Sequence, residues 1–409
     1  MKVLMISPGF PADMKYFTRG LAQVGAQVIG LGDQPKHALE PMVKESLTAY
    51  LPVAQLWDEE STIEHVLDWL QTNNVNLDRV ECMWEPGVML AARLRERLGL
   101  EGISVEQANA FRDKEVMKQA LDAAGIRTPH HYRASTAAEV RNAAERIGWP
   151  VIVKPIDGAG SADTYTANSD EELDEILSAI GHVPEVSVEE YIEGEEYTYD
   201  TVCANGQVLF ENVTWYRPKP LFTRLNPWVS QQAICLADLA SPQIAVGVEL
   251  GRQVLKALGF GSGFTHMEWF RNAAGEAIFG EIGARSPGGR LTHGMNLSTD
   301  IDLFAGWAEA VCHGRLSQDT RKKYNAALVF KRAVGDGQRI TSIEGLEPII
   351  AEYGDCLPVI DLVPVGAPRQ DWRQVVTGDG WIVARHPDLE ITRRIADRLT
   401  GEVRVVAQG

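Results

Sequence analysis

The chain has 409 residues, 45% hydrophobic and 23% charged, a composition that permits a large core and suggests about two to three domains. Its formal net charge of −17 excludes a general affinity for nucleic acid or an anionic membrane, because both depend on clustered Lys and Arg; an anionic ligand would need a local basic pocket. Five scattered cysteines suggest neither a disulfide framework nor a zinc site, and the opening "MKVLMISPGF" is too short an apolar run for a signal peptide, while no stretch reaches the roughly 18 apolar residues of a spanning helix, so a cytoplasmic location is expected.

In the N-terminal third, short apolar strands alternate with helical patterns: "KVLMISP", a helix ending near Gly25, "AQVIGLG", and a helix across "TIEHVLDWLQ". That alternation predicts a parallel α/β sheet. "SPGFPAD" stands where a dinucleotide fold would carry G-x-G-x-x-G, which argues against nicotinamide binding. "FRDKEVMKQALDAAGIRTP" has helical spacing closed by Gly125 and Pro129, with Lys114 and Lys118 one turn apart. Thr136-x-x-Glu139 and Ser169-x-x-Glu172 read as capping boxes of helices on either side of "VIVKPIDGAGSAD".

That segment places Lys154 in a strand and follows it with Asp157-Gly158-Ala159-Gly160-Ser161, a turn whose backbone N–H groups could line an anion. The order is the reverse of a phosphate loop, in which glycines precede the lysine. A strand lysine beside an ordinary hairpin reads equally well. Further on, Asn205-Gly206 predicts a two-residue hairpin turn. A helix is expected from Pro242 to about Leu258 with Ser241 as its cap.

"GFTHMEWFRNAAGEAIFGEIGAR" predicts a second hairpin. His266, Glu268 and Phe270 share one face of its first strand, and Phe279, Glu281, Gly283 and Arg285 share one face of its second. With a two-residue turn Glu268 and Glu281 are opposed, and with a four-residue turn they are diagonal. Like charges so placed destabilise a sheet unless something positive lies between them, and carboxylate oxygens together with a phosphate are what Mg²⁺ prefers. Two solvent-facing glutamates are the other reading, against which Arg285 and the Gly288-Gly289 pair argue for an anion site. A lone His266 is more often structural. Residues 317–409 mix strands and helices and show no chemical motif.

Taken in order, "FRDKEVMKQALDAAGIRTP", "PVIVKPIDGAGSADT", "VEEYIEGEEYTYD", "HMEWF" and "FGEIGARSPGG" resemble the ATP-grasp superfamily over residues 1 to about 335. The resemblance implies an α/β chain, α+β toward its C-terminus. It would comprise an N-terminal parallel domain (1–108), a first ATP-grasp part (109–190) with a lid (about 128–190), a second part (191–316) bearing an antiparallel sheet, and a C-terminal subdomain (317–409).

Carried over by position, Lys114 and Lys154 resemble the lysines on the ATP phosphates, and Gly158, Gly160 and Ser161 belong to the lid loop. Glu189, Glu190, Tyr191 and Ile192 resemble the segment whose backbone reads adenine, and Glu196 the acid on the ribose hydroxyls. Glu268 and Glu281 match the Mg²⁺ ligands, with Mn²⁺ as the alternative ion, and Arg285 matches the arginine that steadies the carboxylate or its acyl-phosphate. Gly283 stands where the family often has an Asn that also binds metal.

The Glu-x-x-x-Arg and Gly-Gly pattern is closer to the amino-acid ligases, dipeptide-forming ones included, than to biotin carboxylases, which carry His-Pro-Val-Thr-Glu where this chain has "SPGGRLTHG". The expected activity is ATP-dependent joining of a small-molecule carboxylate to an amine, with no nucleic-acid or membrane partner and a homodimer admitted. A biotin- or purine-type carboxylase using carboxyphosphate, and a nucleotide-binding regulatory protein without turnover, remain the alternatives.

Overall fold

A computed structural model describes residues 1–158, 163–372, 375 and 377–409. Strands Lys2–Ile6 (β1), Gln27–Gly32 (β2), Ala49–Pro52 (β3) and Arg79–Glu81 (β4) form a parallel sheet in the order β3-β2-β1-β4. Val3, Leu4, Met5 and Ile6 are all buried, as a strand covered on both faces requires.

The next sheet is antiparallel. It holds His131–Ala134 (β5), Val151–Pro155 (β6), Tyr165–Ala167 (β7) and Val186–Glu190 (β8) in the order β5-β8-β6-β7. Helices Ala137–Ile147 and Asp170–Ala179 flank it in sequence, and their caps follow the pattern read from sequence: the Thr136 and Ser169 hydroxyls accept from the Glu139 and Glu172 N–H groups. The two glutamates reach back one residue beyond the cap, to the N–H groups of Ser135 and Asn168. Gly160 and Ser161 lie outside the described residues.

The remaining strands are Glu195–Ala204 (β9), Gln207–Arg217 (β10), Gln232–Cys235 (β11), Gly263–Arg271 (β12), Ala277–Gly283 (β13), Asn325–Phe330 (β14), Ser342–Glu344 (β15), Val359–Leu362 (β16), Gly380–His386 (β17) and Arg404–Val406 (β18). Eight of them make one antiparallel sheet, β13-β12-β9-β10-β11-β14-β17-β16, so strands from beyond residue 316 extend the surface that carries the two glutamates. Asn205 and Gly206 have φ of 51° and 75°, the pair of positive values that a two-residue turn of this kind needs.

One face of this sheet is core and the other is not. Tyr197, Tyr199, Met267, Trp269, Phe279 and Ile282 are buried on the core side. Helix Pro242–Ala257 lies flush against them, because a Cβ at Gly247 would come within 2.0 Å of the Trp269 ring and one at Gly251 within 2.1 Å of the Tyr199 ring. Ser241 does not cap that helix with its side chain. Asp238 Oδ1 instead accepts from the N–H groups of Ala240 and Ser241.

Candidate active site

The hairpin of β12 and β13 differs from both turns considered above. Asn272 and Glu276 close a three-residue loop, which pairs Trp269 with Phe279. Phe279 therefore points into the core and does not share a face with Glu281 as expected. A bulge at Gly280 then inserts one residue, and Glu268 stands directly opposite Glu281. Strand alternation puts Glu196, Thr198 and Asp200 of β9 on the same face, opposite Phe270, Glu268 and His266.

This face and the β6–β8 side of the smaller sheet enclose a cavity of about 410 Å³. Every described candidate lines it: Lys114, Lys154, Gly158, Glu189, Glu190, Tyr191, Ile192, Glu196, Glu268, Glu281 and Arg285. Lys114 begins helix Lys114–Ala123, whose cap is Asp113 accepting from two backbone N–H groups. Its Nζ donates to the Gly158 carbonyl at 2.7 Å and lies 3.5 Å from Glu281 Oε2. Lys154 Nζ sits 3.6 Å from the same oxygen and 3.0 Å from Glu189 Oε2. Burial works against the Lys154 ammonium, but Glu189 and Glu281 outweigh it and hold its pKa above the ordinary lysine value.

The Glu189 carboxylate is bound from three sides, with Lys118 at 2.8 Å, Lys154 at 3.0 Å and the Ser187 hydroxyl at 2.8 Å. Burial would raise its pKa, yet the two lysines and the hydroxyl hold it well below the carboxylate range. The Glu190 carboxylate takes a two-pronged contact from Arg127 Nη2, at 2.9 and 2.8 Å, and the His130 N–H. Lys219, which follows the hairpin of β9 and β10, approaches the Ile192 carbonyl at 3.4 Å and lies over the Phe270 ring.

Arg285 is tied to the N-terminal part of the chain. Its Nε donates to Glu85 Oε2 at 2.5 Å and its Nη1 to the Ser286 carbonyl at 2.8 Å. Gly283 makes room for this pair, since a Cβ there would lie 3.3 Å from Glu85 Oε2 and 3.4 Å from Arg285 Cγ. An Asn side chain there, as in the related motif, would crowd both partners.

Glu196 is buried beside a second carboxylate, Glu268. Burial, then the nearby Glu268, push its carboxyl up to about 8. Burial would also raise Glu268, but His266, Lys154 and Arg285 bring it below the ordinary range. Among the described residues no group of three His, Cys, Asp or Glu side chains forms a complete metal cage. Two facing carboxylates at an open cavity nevertheless fit Mg²⁺, which takes one or two protein carboxylates and completes its shell with phosphate and water oxygens.

Sequence reading missed Glu85, Glu189 as a side chain, and Asp200, which holds His266 Nδ1 at 2.6 Å. Lys118, one turn from Lys114, was the available signal for the buried Glu189 cluster.

The architecture that encloses this cavity is an ATP-grasp fold. The model of the ATP-grasp domain family matches residues 111–214. An L-arginine-specific L-amino acid ligase of Bacillus subtilis is 28% identical over 273 residues, 63% of this chain and 65% of that protein. A formate-dependent phosphoribosylglycinamide formyltransferase of Synechococcus sp. (strain RCC307) is 34% identical over 224 residues, 51% of this chain and 54% of that one. The matches thus span about half to just under two thirds of these relatives' lengths. The crystal structure of an L-amino acid ligase from Bacillus licheniformis superposes with a TM-score of 0.77 at 20% identity, covering 100% of this chain and 99% of the other. No helix among the described residues is long and apolar enough to cross a membrane.

Proposed function

We propose that the chain is an ATP-dependent carboxylate–amine ligase, forming an amide or peptide bond through an acyl-phosphate with an amino acid as the carboxylate substrate. The observation that carries this reading is the convergence of Lys114, Lys154, the Glu268–Glu281 pair and Arg285 on one cavity. The similarity to the arginine-specific L-amino acid ligase supports it.

In this reading Lys114 and Lys154 neutralise the ATP phosphates, exchanging their contacts to Glu281 for phosphate oxygens. Ile152, Ile192 and Phe270 give the adenine ring an apolar slot, with the Ile192 backbone as its hydrogen-bonding edge. Glu196, raised to about 8, carries its proton near neutral pH and can both donate to and accept from ribose hydroxyls. Glu268 and Glu281 would hold Mg²⁺, which when bound spreads the charge developing on the transferred phosphoryl group. Arg285 offers its Nη2 to the substrate carboxylate while Glu85 fixes its Nε and the Ser286 carbonyl holds its Nη1. Positioning then supplies most of the rate, and no protein nucleophile is required.

The test is release of ADP and phosphate from ATP and Mg²⁺ across pairs of amino acids. Release that needs both partners and disappears in Glu281→Gln supports the ligase. Release that depends on bicarbonate points to a carboxylase, and none with any pair removes the reading.

A further inference from the structure

The segment beyond residue 316, where the sequence shows no chemical motif, reaches the candidate site through a buried line of polar groups. Lys322 Nζ donates to Asn212 Oδ1 at 2.6 Å and to the Ser298 hydroxyl at 3.0 Å, while its ammonium lies over the Phe210 ring at 4.8 Å. Asn212 Nδ2 approaches Asp200 Oδ2 at 3.2 Å and the Thr214 hydroxyl at 2.9 Å. The Thr198 hydroxyl lies 2.6 Å from Asp200 Oδ2, and His266 Nδ1 lies 2.6 Å from Asp200 Oδ1. At the far end His266 Nε2 is 3.7 Å from Glu268 Oε1, and His266 lines the cavity. Asp200, Asn212, Thr198 and Thr214 are fully buried.

Each link restricts the next. An ammonium can only donate, so Lys322 requires the Asn212 carbonyl and turns the amide NH₂ toward Asp200 and Thr214. Asp200 then receives Asn212 and Thr198 on one oxygen and His266 on the other. With Nδ1 engaged, the imidazole is fixed in plane, and Nε2 is left toward Glu268 and the cavity. His266 pairs in register with Gly283, beside which Glu85 and Arg285 meet. The line therefore ends where the ligase reading places the reacting carboxylate.

We propose that Asp200, Asn212 and Lys322 are positioning residues that hold His266 with its Nε2 directed at Glu268 and the substrate end of the cavity. The C-terminal segment would thereby contribute to turnover without touching substrate. The proposal rests on the ligase reading for its kinetic part only.

The experiment compares the parent with Asp200→Asn, Lys322→Met and Lys322→Arg, using steady-state turnover and nitrogen-15 NMR of labelled histidine in the nucleotide-free, metal-free protein. In Asp200→Asn, kcat should fall by about 10- to 100-fold, the range for residues that orient a ligand from behind, with the KM for ATP within about twofold. Lys322→Met should shift kcat in the same direction, Lys322→Arg should restore most of it, and the His266 ring-nitrogen shifts should move in both Asp200→Asn and Lys322→Met. Unmoved His266 shifts in both variants overturn the proposal, as does a parent-like kcat in folded Asp200→Asn. Shifts that move in Asp200→Asn alone overturn the part assigned to Lys322. If the parent turns over no substrate, the ligase reading fails, and the NMR result still decides the positioning claim.

Discussion

Glu281 stands directly opposite Glu268 only because Gly280 is an extra residue in its strand. The three-residue loop pairs Trp269 with Phe279, and regular pairing from there would set Gly280 against Glu268 and turn Glu281 to the core with Met267. Gly280 suits the position because a Cβ would lie 2.9 Å from the Glu268 carbonyl oxygen and 3.1 Å from the Phe270 ring. Gly280→Val should therefore destabilise the fold by about 1–3 kcal/mol through overpacking and lower turnover further by moving the carboxylate pair. Chemical denaturation and ATP turnover check this; parent-like values for both would mean that the bulge tolerates a side chain.

Gly283→Asn would restore the side chain that related motifs often carry, but here it competes with the Glu85 carboxylate. A displaced Arg285 should cost up to about a hundredfold in turnover, the scale for an ångström of misplacement at a reacting group, with ATP affinity little changed. Turnover equal to or above the parent's would show that the glycine is not there to admit Glu85.

Glu189 lies between two lysine ammonium groups in a buried site, Lys118 at 2.8 Å and Lys154 at 3.0 Å. Glu189→Gln leaves the Lys118 ammonium without its counterion and Lys154 with Glu281 alone, and breaking a buried pair in this way costs about 3–5 kcal/mol. Urea unfolding at neutral pH measures it. A loss under about 1 kcal/mol, within the range of exposed pairs, would mean that the cluster is solvated.

Lys331 is buried away from the cavity and donates to the Leu399 and Thr400 carbonyls at 3.0 and 3.1 Å, in the last turn of helix Leu389–Glu402. Burial pushes its pKa down to about 8, against about 10.4 in an unfolded chain. Between those values the unfolded state binds more protons, so the group's contribution to stability rises with pH across that window; the penalty of burying the charge is complete below the folded value. The stability difference between the parent and Lys331→Met should move in the parent's favour from pH 7 to pH 10. A difference that is flat or moves the other way contradicts the assignment.

The elements whose signal is local were legible in sequence. Lys154 in its strand, the Asn205-Gly206 turn and the Thr136 and Ser169 caps all depend on residues within a few positions of one another. The facing of Glu268 and Glu281 was legible too, although the turn behind it was not, because a three-residue loop and a compensating bulge give the same pairing as a two-residue turn. Glu85 could not be found this way. It reaches Arg285 across 200 positions, and nothing in "MWEPGVML" distinguishes it from a surface acid. Lys322 and Asn212, 110 positions apart, were hidden for the same reason.

The most direct test of the ligase account follows the oxygen. Transfer of the γ-phosphoryl group to a substrate carboxylate, followed by amine attack, leaves one carboxylate oxygen on the released phosphate. Amino acids labelled with oxygen-18 in the carboxyl group, supplied with ATP and Mg²⁺, should give inorganic phosphate carrying one label per turnover by mass spectrometry. Amide formation accompanied by unlabelled phosphate would contradict the acyl-phosphate route and with it the role given to Arg285.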